Sequence, residues 1–330
     1  MSDLLERPAR AGAAPRTAAR QRPEPTVAVL IPCYNEAAAI GRVVADFRAA
    51  LPEAAIFVYD NNSGDRTAQV ARAAGAIVRH EALQGKGHVI RRMFADVQAE
   101  YYVLVDGDDT YDAAAAPAML RLLREQQLDM VTATRDGGHD GAYRPGHRAG
   151  NALLSGIVHW IFGDRVSDVL SGYRVFSRRF VKSFPALAAG FETETEFTVH
   201  ALELNLPIGE LRTRYRARPP GSASKLRTVR DGIAILRGIV GLVKEERPLL
   251  FFATLGAVLA AGGSGVGLPV VLTFLRTGLV PRLPSAVLAT GLELLACLAL
   301  ACGLILDSVA RGRKEIKRLA YLALPPPGAA

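Results

Sequence analysis

The sequence predicts an α/β domain with a mostly parallel sheet, followed by two membrane-spanning helices. Three observations predict this architecture: short continuous apolar runs, helical patterns that alternate with them, and two long charge-poor stretches near the C-terminus. The 330 residues correspond to about two domains at ~150 residues per domain. A 50% hydrophobic content excludes a disordered chain, and three cysteines exclude a disulfide-rich scaffold.

The N-terminal segment, residues 1–25, carries five arginines among alanines and prolines. It lacks the apolar core of ~7–15 residues that a secretory signal requires. We therefore predict a disordered basic tail on the cytoplasmic side.

Strands and helices alternate in the globular part of the chain. The predicted strands are 27–31, 55–59, 101–105 and 130–133, each rich in β-branched or aromatic residues, and helical patterns cover 37–51, 67–74, 86–98 and 114–125. Continuous rather than alternating hydrophobicity indicates strands that are buried on both faces. Because ligands bind beyond the carboxyl ends of such strands, the segments that follow the strands define the candidate site.

Polar, turn-forming segments follow three of these strands. They are Pro32-Cys33-Tyr34-Asn35-Glu36, Asp60-Asn61-Asn62-Ser63-Gly64-Asp65 and Asp106-Gly107-Asp108-Asp109. Taken singly, each has an ordinary explanation, as a proline break, an Asn/Gly turn or an acidic helix N-terminus. Their shared position at one edge of the sheet predicts a common crevice.

The acidic run carries the strongest chemical signal. Asp106 and Asp108 are one residue apart, and Gly107 lets the backbone turn tightly between them. Mg²⁺ and Mn²⁺ bind through one or two carboxylates together with substrate phosphates. A cation held by Asp108 and Asp106 would act as a Lewis acid that neutralises a departing diphosphate.

Two apolar stretches near the C-terminus are long enough to span a membrane. Residues 249–275 contain no charged side chain, and residues 285–306 contain only Glu293. Each stretch exceeds the ~20 residues that cross the hydrocarbon core. Five basic residues follow at 311–318, so the positive-inside rule predicts that the large domain and both termini are cytoplasmic.

The alternative for these stretches is a helical hairpin inside a soluble domain, which normally alternates polar and apolar faces. Just before them, residues 227–247 have apolar positions at helical spacing with interspersed arginines. This pattern favours an interfacial amphipathic helix, and a helix that packs on its own domain is the alternative. The predicted organisation is a tail (1–25), a globular domain (26–226), an amphipathic helix (227–247), two transmembrane helices (248–310) and a basic cytoplasmic tail (311–330).

With these segments in place, the sequence resembles the family 2 glycosyltransferases of the GT-A fold. It is most similar to the polyprenyl-phosphate sugar transferases, the group that contains dolichyl-phosphate mannose synthase and its membrane-anchored bacterial relatives. The resemblance covers residues 26–226. It rests on the three segments above together with Gly85-Lys86-Gly87, Ser171-Gly172-Tyr173-Arg174 and Ser224-Lys225-Leu226.

The resemblance implies roles for the nucleoside-binding residues. Pro32, Tyr34 and Glu36 would border the nucleoside, and Asp60 would form a hydrogen bond to the base. The family usually has a second aspartate where this chain has Asn61, which leaves the base selectivity open.

The resemblance also implies roles near the sugar and the diphosphate. Lys86 would lie near the donor, Asp106 would face the donor ribose or sugar, and Asp108 would bind the metal. Arg174 would approach the phosphates from a loop that closes over the site. Asp168 would either orient an arginine or contact the sugar.

By the same resemblance, three basic residues are expected around the phosphates. Arg135 and Arg148 would hold the phosphate of a lipid acceptor, and Lys225 would approach from a closing loop. The family often has serine after the second arginine, whereas this chain has Asn151 or Ala152 there.

The expected reaction is the inverting transfer of one sugar from a nucleotide-diphosphate sugar to a polyprenyl phosphate at the cytoplasmic membrane face. The donor is expected to be a UDP-sugar, with GDP-mannose as the alternative. Mg²⁺ or Mn²⁺ is the expected cofactor, and a homo-oligomer such as a tetramer is expected by resemblance. No nucleic-acid partner is expected.

Three other functions remain open at the level of sequence. One is transfer to a lipid hydroxyl, with Asp168 or Glu196 as the base. Another is a polysaccharide synthase, which usually has a Gln-x-x-Arg-Trp motif and a larger membrane bundle. The third is a membrane protein that binds nucleotide sugars or glycolipids without catalysis.

Overall fold

The computed structural model describes residues 25–136, 156, 166–187, 192–216, 241 and 243–326. The strands in these residues are β1 (Val27–Cys33), β2 (Ala55–Asp60), β3 (Ile77–His80), β4 (Tyr101–Leu104), β5 (Met130–Asp136), β6 (Arg174–Ser177) and β7 (Ile208–Arg214). The helices are α1 (Ile40–Ala50), α2 (Thr67–Ala73), α3 (Lys86–Asp96), α4 (Ala116–Glu125), α5 (Arg178–Ser183), α6 (Thr193–Glu203), α7 (Pro248–Thr277) and α8 (Leu283–Leu322).

The described strands form one sheet in the order β3-β2-β1-β4-β6-β5-β7. β1 pairs in parallel with both β2 and β4, and β5 pairs in parallel with β7. β6 runs antiparallel to its neighbours β4 and β5. The α/β class and the mostly parallel sheet predicted from the sequence are therefore confirmed.

The central strands are buried on both faces, as their continuous hydrophobicity predicts. Along β1, Val29 and Ile31 pack with α1 and α4 on one face, whereas Ala28 and Leu30 pack with α3, α5 and α6 on the other. The sheet therefore lies between two helical layers. This arrangement fixes the carboxyl ends of β1, β2 and β4 at one edge.

Three strands were missed by the sequence analysis. β3 and β7 are the two edges of the sheet, and their residues are largely polar or partly exposed. β6 is only four residues long and begins with a buried arginine. Each therefore lacks the continuous apolar run that identified β1, β2, β4 and β5.

The two C-terminal helices are long and apolar enough to cross a membrane, with mean hydropathies of 1.9 and 2.1 in their most apolar windows. Only 11% and 22% of these windows are buried within the chain, so most of their apolar surface faces outwards. They pack against each other through small residues: a methyl group on Gly256 would lie 3.1 Å from the Ala296 carbonyl oxygen.

α7 and α8 contain the predicted apolar stretches 249–275 and 285–306. α8 also continues without a break to Leu322, past the boundary at residue 310 that the sequence suggested. The basic tail 1–24 and most of the amphipathic segment 227–247 lie outside the described residues.

Candidate active site

The loops after β1 and β2 are joined by hydrogen bonds into one wall. The Asn35 backbone N–H donates to Ser63 Oγ at 2.9 Å, and the Gly64 N–H donates to Asn35 Oδ1 at 2.7 Å. Asn35 adopts the left-handed conformation (φ 54°), which asparagine tolerates better than most residues. The Asn61 N–H also donates to the Cys33 carbonyl. The first two polar segments therefore act as one unit.

On this wall, Asp60 and Asn61 have different environments. Asp60 is buried, and within the described residues its Oδ1 atom has no hydrogen-bond partner. The Asn61 side-chain amide donates to the carbonyls of Glu81 and Leu83, and its oxygen accepts from the Gly85 N–H. An aspartate at position 61 could not donate these two bonds. Asn61 thus shapes the loop before α3.

The three other residues predicted to border the nucleoside lie on the first segment. Pro32 is near the carboxyl end of β1, Tyr34 is 37% exposed, and Glu36 is buried. The Glu36 backbone N–H donates to Thr67 Oγ1 at 2.8 Å, which ties the segment to the start of α2. The structure therefore brings these residues to the same edge as Asp60.

The acidic run begins directly after Val105, which follows β4. Asp108 is 4% exposed, and its Oδ1 accepts hydrogen bonds from the Thr110 hydroxyl at 2.6 Å and the Thr110 N–H at 3.3 Å. The Asp106 side chain is more open, with 30% of its surface exposed. The two predicted metal ligands therefore lie at the predicted edge, but in different settings.

Two glycines make room for this run. A methyl group on Gly107 would lie 2.6 Å from Cys33 Sγ, and one on Gly172 would lie 2.3 Å from Asp106 Oδ2. Real side chains essentially never approach so closely, so Gly172 allows the Asp106 carboxylate to lie directly over the loop before β6. The Gly172 N–H is fixed by the hydroxyl of Tyr111 at 2.9 Å.

Lys86 forms the charged centre of the site. Its ammonium group donates to the carboxylates of Asp106 and Glu194, and only 10% of its side chain is exposed. Burial by itself lowers the pKa of Lys86, but the two carboxylates more than offset this and raise the pKa above its ordinary value. Lys86 therefore stays charged and holds Asp106 in place.

Glu194 is a site residue that the sequence analysis missed. It lies in the first turn of α6 and is buried, and burial raises the pKa of its carboxyl group. One carboxylate oxygen is bonded to Lys86, and within the described residues the other, Oε2, has no hydrogen-bond partner. The sequence predicts Glu196 instead, as a base for transfer to a hydroxyl. Glu196 accepts a hydrogen bond from the Leu187 N–H.

Arg135 and Asp168 form a two-pronged ion pair at the carboxyl end of β5. Arg135 Nε and Nη2 donate to the two oxygens of Asp168 at 2.7 and 2.8 Å. The Arg135 guanidinium also lies 5.6 Å from the centre of the Tyr215 ring. Of the two roles predicted for Asp168, the structure favours the orientation of an arginine.

Arg174 has a different environment from the one expected. It is fully buried, and its guanidinium donates to the carbonyls of Val169 and Ser171 and to the Thr198 hydroxyl. Burial lowers the pKa of Arg174 to about 10. Its position is therefore that of a support for the Asp168–Gly172 loop rather than a group that faces a diphosphate. Arg148 and Lys225 lie outside the described residues.

The acidic run fits a cation that is completed by a substrate. Within the described residues, no group of three or more His, Cys, Asp and Glu side chains could enclose a metal. Mg²⁺ and Mn²⁺ often bind through only one or two carboxylates and take their remaining oxygen ligands from phosphates and water. Asp106 and Asp108 match that donor set.

The seven-stranded sheet and the acidic loop beyond β4 match the GT-A fold that the sequence predicts. The glycosyl transferase family 2 model matches residues 28–183. The chain is 31% identical over 298 residues to the glycosyltransferase AglJ of Haloferax volcanii, covering 90% of this chain and 98% of AglJ. The chain belongs to glycosyl transferase family 2, and it is a glycosyltransferase.

Two further comparisons extend the match. A dolichyl-phosphate hexose transferase of Haloferax volcanii is 28% identical over 221 residues, covering 67% of this chain and 95% of that protein. Among solved structures, glucosyl-3-phosphoglycerate synthase from Mycobacterium tuberculosis, in complex with Mn²⁺, UDP-glucose and phosphoglyceric acid, matches with a TM-score of 0.54. It is 22% identical and covers 66% of this chain and 79% of that chain, which establishes the shared fold.

Proposed function

We propose that the protein transfers one sugar from a nucleotide-diphosphate sugar to a polyprenyl phosphate at the cytoplasmic membrane face. We expect the donor to be a UDP-sugar. An oxygen of the acceptor phosphate attacks the anomeric carbon. The bond from that carbon to the diphosphate breaks, and a nucleoside diphosphate leaves. Direct displacement inverts the configuration at the anomeric carbon.

The observation that carries this proposal is that the two carboxylates predicted as a base for a hydroxyl acceptor both have other partners. Asp168 is held by two bonds from Arg135, and Glu196 accepts the Leu187 N–H. A hydroxyl acceptor needs a base, whereas a phosphate monoester has its second pKa near ~6 and is already ionised at neutral pH. The site is therefore better suited to a phosphate acceptor.

For a phosphate acceptor, the site must orient the phosphate group and supply positive charge to it. Arg135 presents a planar guanidinium that Asp168 holds in orientation, and guanidinium groups bind phosphate through paired hydrogen bonds. We include Arg148 and Lys225 as further phosphate ligands, on the family pattern. Arg174 supports the loop that carries Asp168.

The donor would lie along the wall formed by the loops after β1 and β2. Asp60 Oδ1, which has no partner in the part of the chain that the structure describes, would accept a hydrogen bond from an N–H of the base. Pro32, Tyr34 and Glu36 would border the nucleoside. Asp106, held by Lys86, would face the ribose or the sugar. Mg²⁺ or Mn²⁺ bound through Asp108 and Asp106 would offset the charge of the leaving diphosphate.

Two observations favour an acceptor in a membrane. α7 and α8 are long and apolar enough to span a bilayer, and one relative is named for transfer to dolichyl phosphate. A polyprenyl chain keeps its headgroup at the membrane surface, where a domain attached to these helices would meet it. No comparable observation in the described residues supports a polysaccharide synthase.

The test compares two acceptors that differ only in the phosphate. Membranes containing the full chain receive labelled nucleotide sugars with Mn²⁺ and either polyprenyl phosphate or the corresponding polyprenol. We expect label in butanol-extractable lipid with the phosphate alone. Equal labelling of the polyprenol would overturn the proposal in favour of a hydroxyl acceptor.

A further inference from the structure

The part of α8 beyond the apolar stretch contacts the catalytic domain. We call residues 307–322 the α8 extension. At 1.5 Å per residue it adds about 24 Å to the helix. It packs against α5, and Tyr321 near its end packs on the hydrophobic cluster beneath the sheet. The membrane hairpin and the domain therefore meet at a second place, far along the chain from the segment that joins them.

One contact is an ion pair. Lys317 Nζ lies 2.6 Å from Glu203 Oε2, and the two side chains are 23% and 8% exposed. Glu246, which precedes α7, lies close enough that its own burial and the Glu203 carboxylate raise its pKa to about 7. Lys317 thus supplies positive charge beside one buried and one partly buried acidic side chain.

The second contact involves Tyr321. Its hydroxyl donates to Asp129 Oδ2 at 2.7 Å, and the Arg179 guanidinium lies 4.4 Å from the centre of its ring. Asp129 is fully buried and also accepts a hydrogen bond from the Ser177 hydroxyl at 2.6 Å. A fully buried carboxylate that bonds to this tyrosine indicates a specific contact rather than loose packing.

Both contacts lie on elements that carry site residues at their opposite ends. Asp129 directly precedes β5, which bears Arg135 near its carboxyl end, about 20 Å away at ~3.3 Å per residue. Glu203 is the last residue of α6, and Glu194 lies in the first turn of that helix. The α8 extension therefore contacts the two elements that place Arg135 and Glu194.

We propose that the α8 extension is a strut that fixes the height and orientation of the active site above the membrane, with Lys317 and Tyr321 as positioning residues for a lipid-borne acceptor. The proposal rests on the proposed function, because only an acceptor anchored in the bilayer requires the site to be held at a set height. A continuous helix suits this role, since it joins the span to the domain without a hinge.

The test uses the full chain reconstituted in phosphatidylethanolamine–phosphatidylglycerol vesicles with polyprenyl phosphate. The variants are Lys317→Met and Tyr321→Phe, which keep the apolar parts of both side chains, and their combination. Arg318→Met is the matched control, because Arg318 is a neighbouring exposed base on the same helix. We expect the combined variant to raise the KM for polyprenyl phosphate about tenfold while the KM for the donor stays unchanged, and the control to behave as wild type.

A charge exchange tests the ion pair directly. Lys317→Glu should raise the acceptor KM, and adding Glu203→Lys should restore it, since the pair is re-formed with opposite polarity. Hydrogen exchange of residues 311–322 should become faster in Lys317→Glu and slow again in the exchanged pair. The proposal would be overturned if the exchanged pair failed to restore the acceptor KM or failed to restore slow hydrogen exchange at residues 311–322.

Other outcomes separate this proposal from the function on which it rests. If the combined variant raised the donor and acceptor KM alike, the contact would only stabilise the fold and the strut would be refuted. If the wild type left polyprenyl phosphate unlabelled, the proposed function would fail. Slow exchange at residues 311–322 that depends on Lys317 would then still support the docking contact.

Discussion

At the scale of single residues, the site depends on space as much as on charge. Asp106 lies over Gly172 and is held by Lys86, which also bonds to Glu194. The position of the Asp106 carboxylate is therefore set by Gly172, which has no side chain, and by the buried ammonium group of Lys86. Both conditions must hold for Asp106 to face a donor.

Gly172→Ala is expected to displace Asp106. The new methyl group would lie 2.3 Å from Asp106 Oδ2, so the carboxylate must move, and we expect a loss of about 10²-fold in kcat/KM. The matched control is Gly64→Ala, where the methyl group would lie 3.9 Å from Asn35 Oδ1, an ordinary contact. Labelled-sugar transfer by both variants measures the difference, and equal activities would contradict this view of Gly172.

Asp108→Asn is expected to abolish the metal dependence. Loss of one charged ligand should lower transfer by about 10²-fold and remove the protection that a nucleotide sugar with Mn²⁺ gives against thermal unfolding. EDTA should inactivate the wild type, and added Mn²⁺ or Mg²⁺ should restore it. Asp112→Asn serves as the control, because Asp112 instead caps the turn at Ala113–Ala115. Full activity of Asp108→Asn in EDTA would refute the assignment.

At the scale of elements, α6 joins the site to the core. Its first turn carries Glu194, and its later turns bury His200 edge-on against the rings of Phe180 and Phe184. The ring centres are 5.3 and 5.4 Å from that of His200. Burial, with a smaller contribution from Lys317, lowers the pKa of His200 to about 3. The imidazole of His200 is therefore neutral in the folded protein near pH 7.

The pH dependence of stability should reflect this histidine. Between pH 6.5 and 3 the unfolded chain binds a proton at His200 that the folded chain does not, so the group destabilises the fold as pH falls. Glu246 acts oppositely, since its raised pKa makes stability fall as pH rises from about 4.5 to 7. Comparing the wild type with a His200 variant separates the contribution of His200 to the pH dependence from that of Glu246.

Between pH 6.5 and 5, His200→Gln should lose about 1.6 kcal/mol less stability than the wild type. The full slope of about 1.36 kcal/mol per pH unit is reached only below the unfolded pKa of 6.5. Thermal unfolding in detergent at the two pH values measures this. Phe184→Leu removes packing from the same ring without a titrating group, so it should lower the melting temperature equally at both pH values. An unchanged pH slope in His200→Gln would show that His200 is not the responsible group.

At the scale of the whole molecule, a family 2 glycosyltransferase domain is combined with a helical hairpin. The hairpin meets the domain through Lys317 and Tyr321. Catalysis on a membrane acceptor would need both the chemistry of the crevice and a fixed relation to the bilayer. The hairpin supplies the second requirement in our proposal.

The sidedness of the hairpin can be measured by cysteine labelling. The link between α7 and α8 should lie outside the cytoplasm, so Leu279→Cys, at an exposed position, should react with a membrane-impermeant maleimide in intact cells. Arg318→Cys should react only after permeabilisation. The wild type, whose Cys297 and Cys302 lie in the apolar stretch and whose Cys33 is buried, gives the background. The reverse pattern would invert the topology.

Sequence reasoning found the features that depend on neighbouring residues. Strands β1, β2, β4 and β5, helices α1 to α4 and the acidic run after β4 were all predicted, because apolar runs and turn residues act locally. It missed the short strand β6 and the edge strands β3 and β7, which lack a continuous apolar run. It also assigned Arg174 to the phosphates, although that side chain is fully buried. A motif identifies a residue but does not say which way its side chain points.

The sequence by itself indicated the family, strands β1, β2, β4 and β5 with helices α1 to α4, and the two apolar helices. Each of these features shows in hydrophobic periodicity or in short motifs. The tertiary structure alone decided the ion pairs and the buried hydrogen bond that join distant positions. Lys86 meets Glu194 across 108 positions, Lys317 meets Glu203 across 114, and Tyr321 meets Asp129 across 192. Such pairs depend on how the layers pack in space, and no local pattern in the chain encodes which buried charges will face each other.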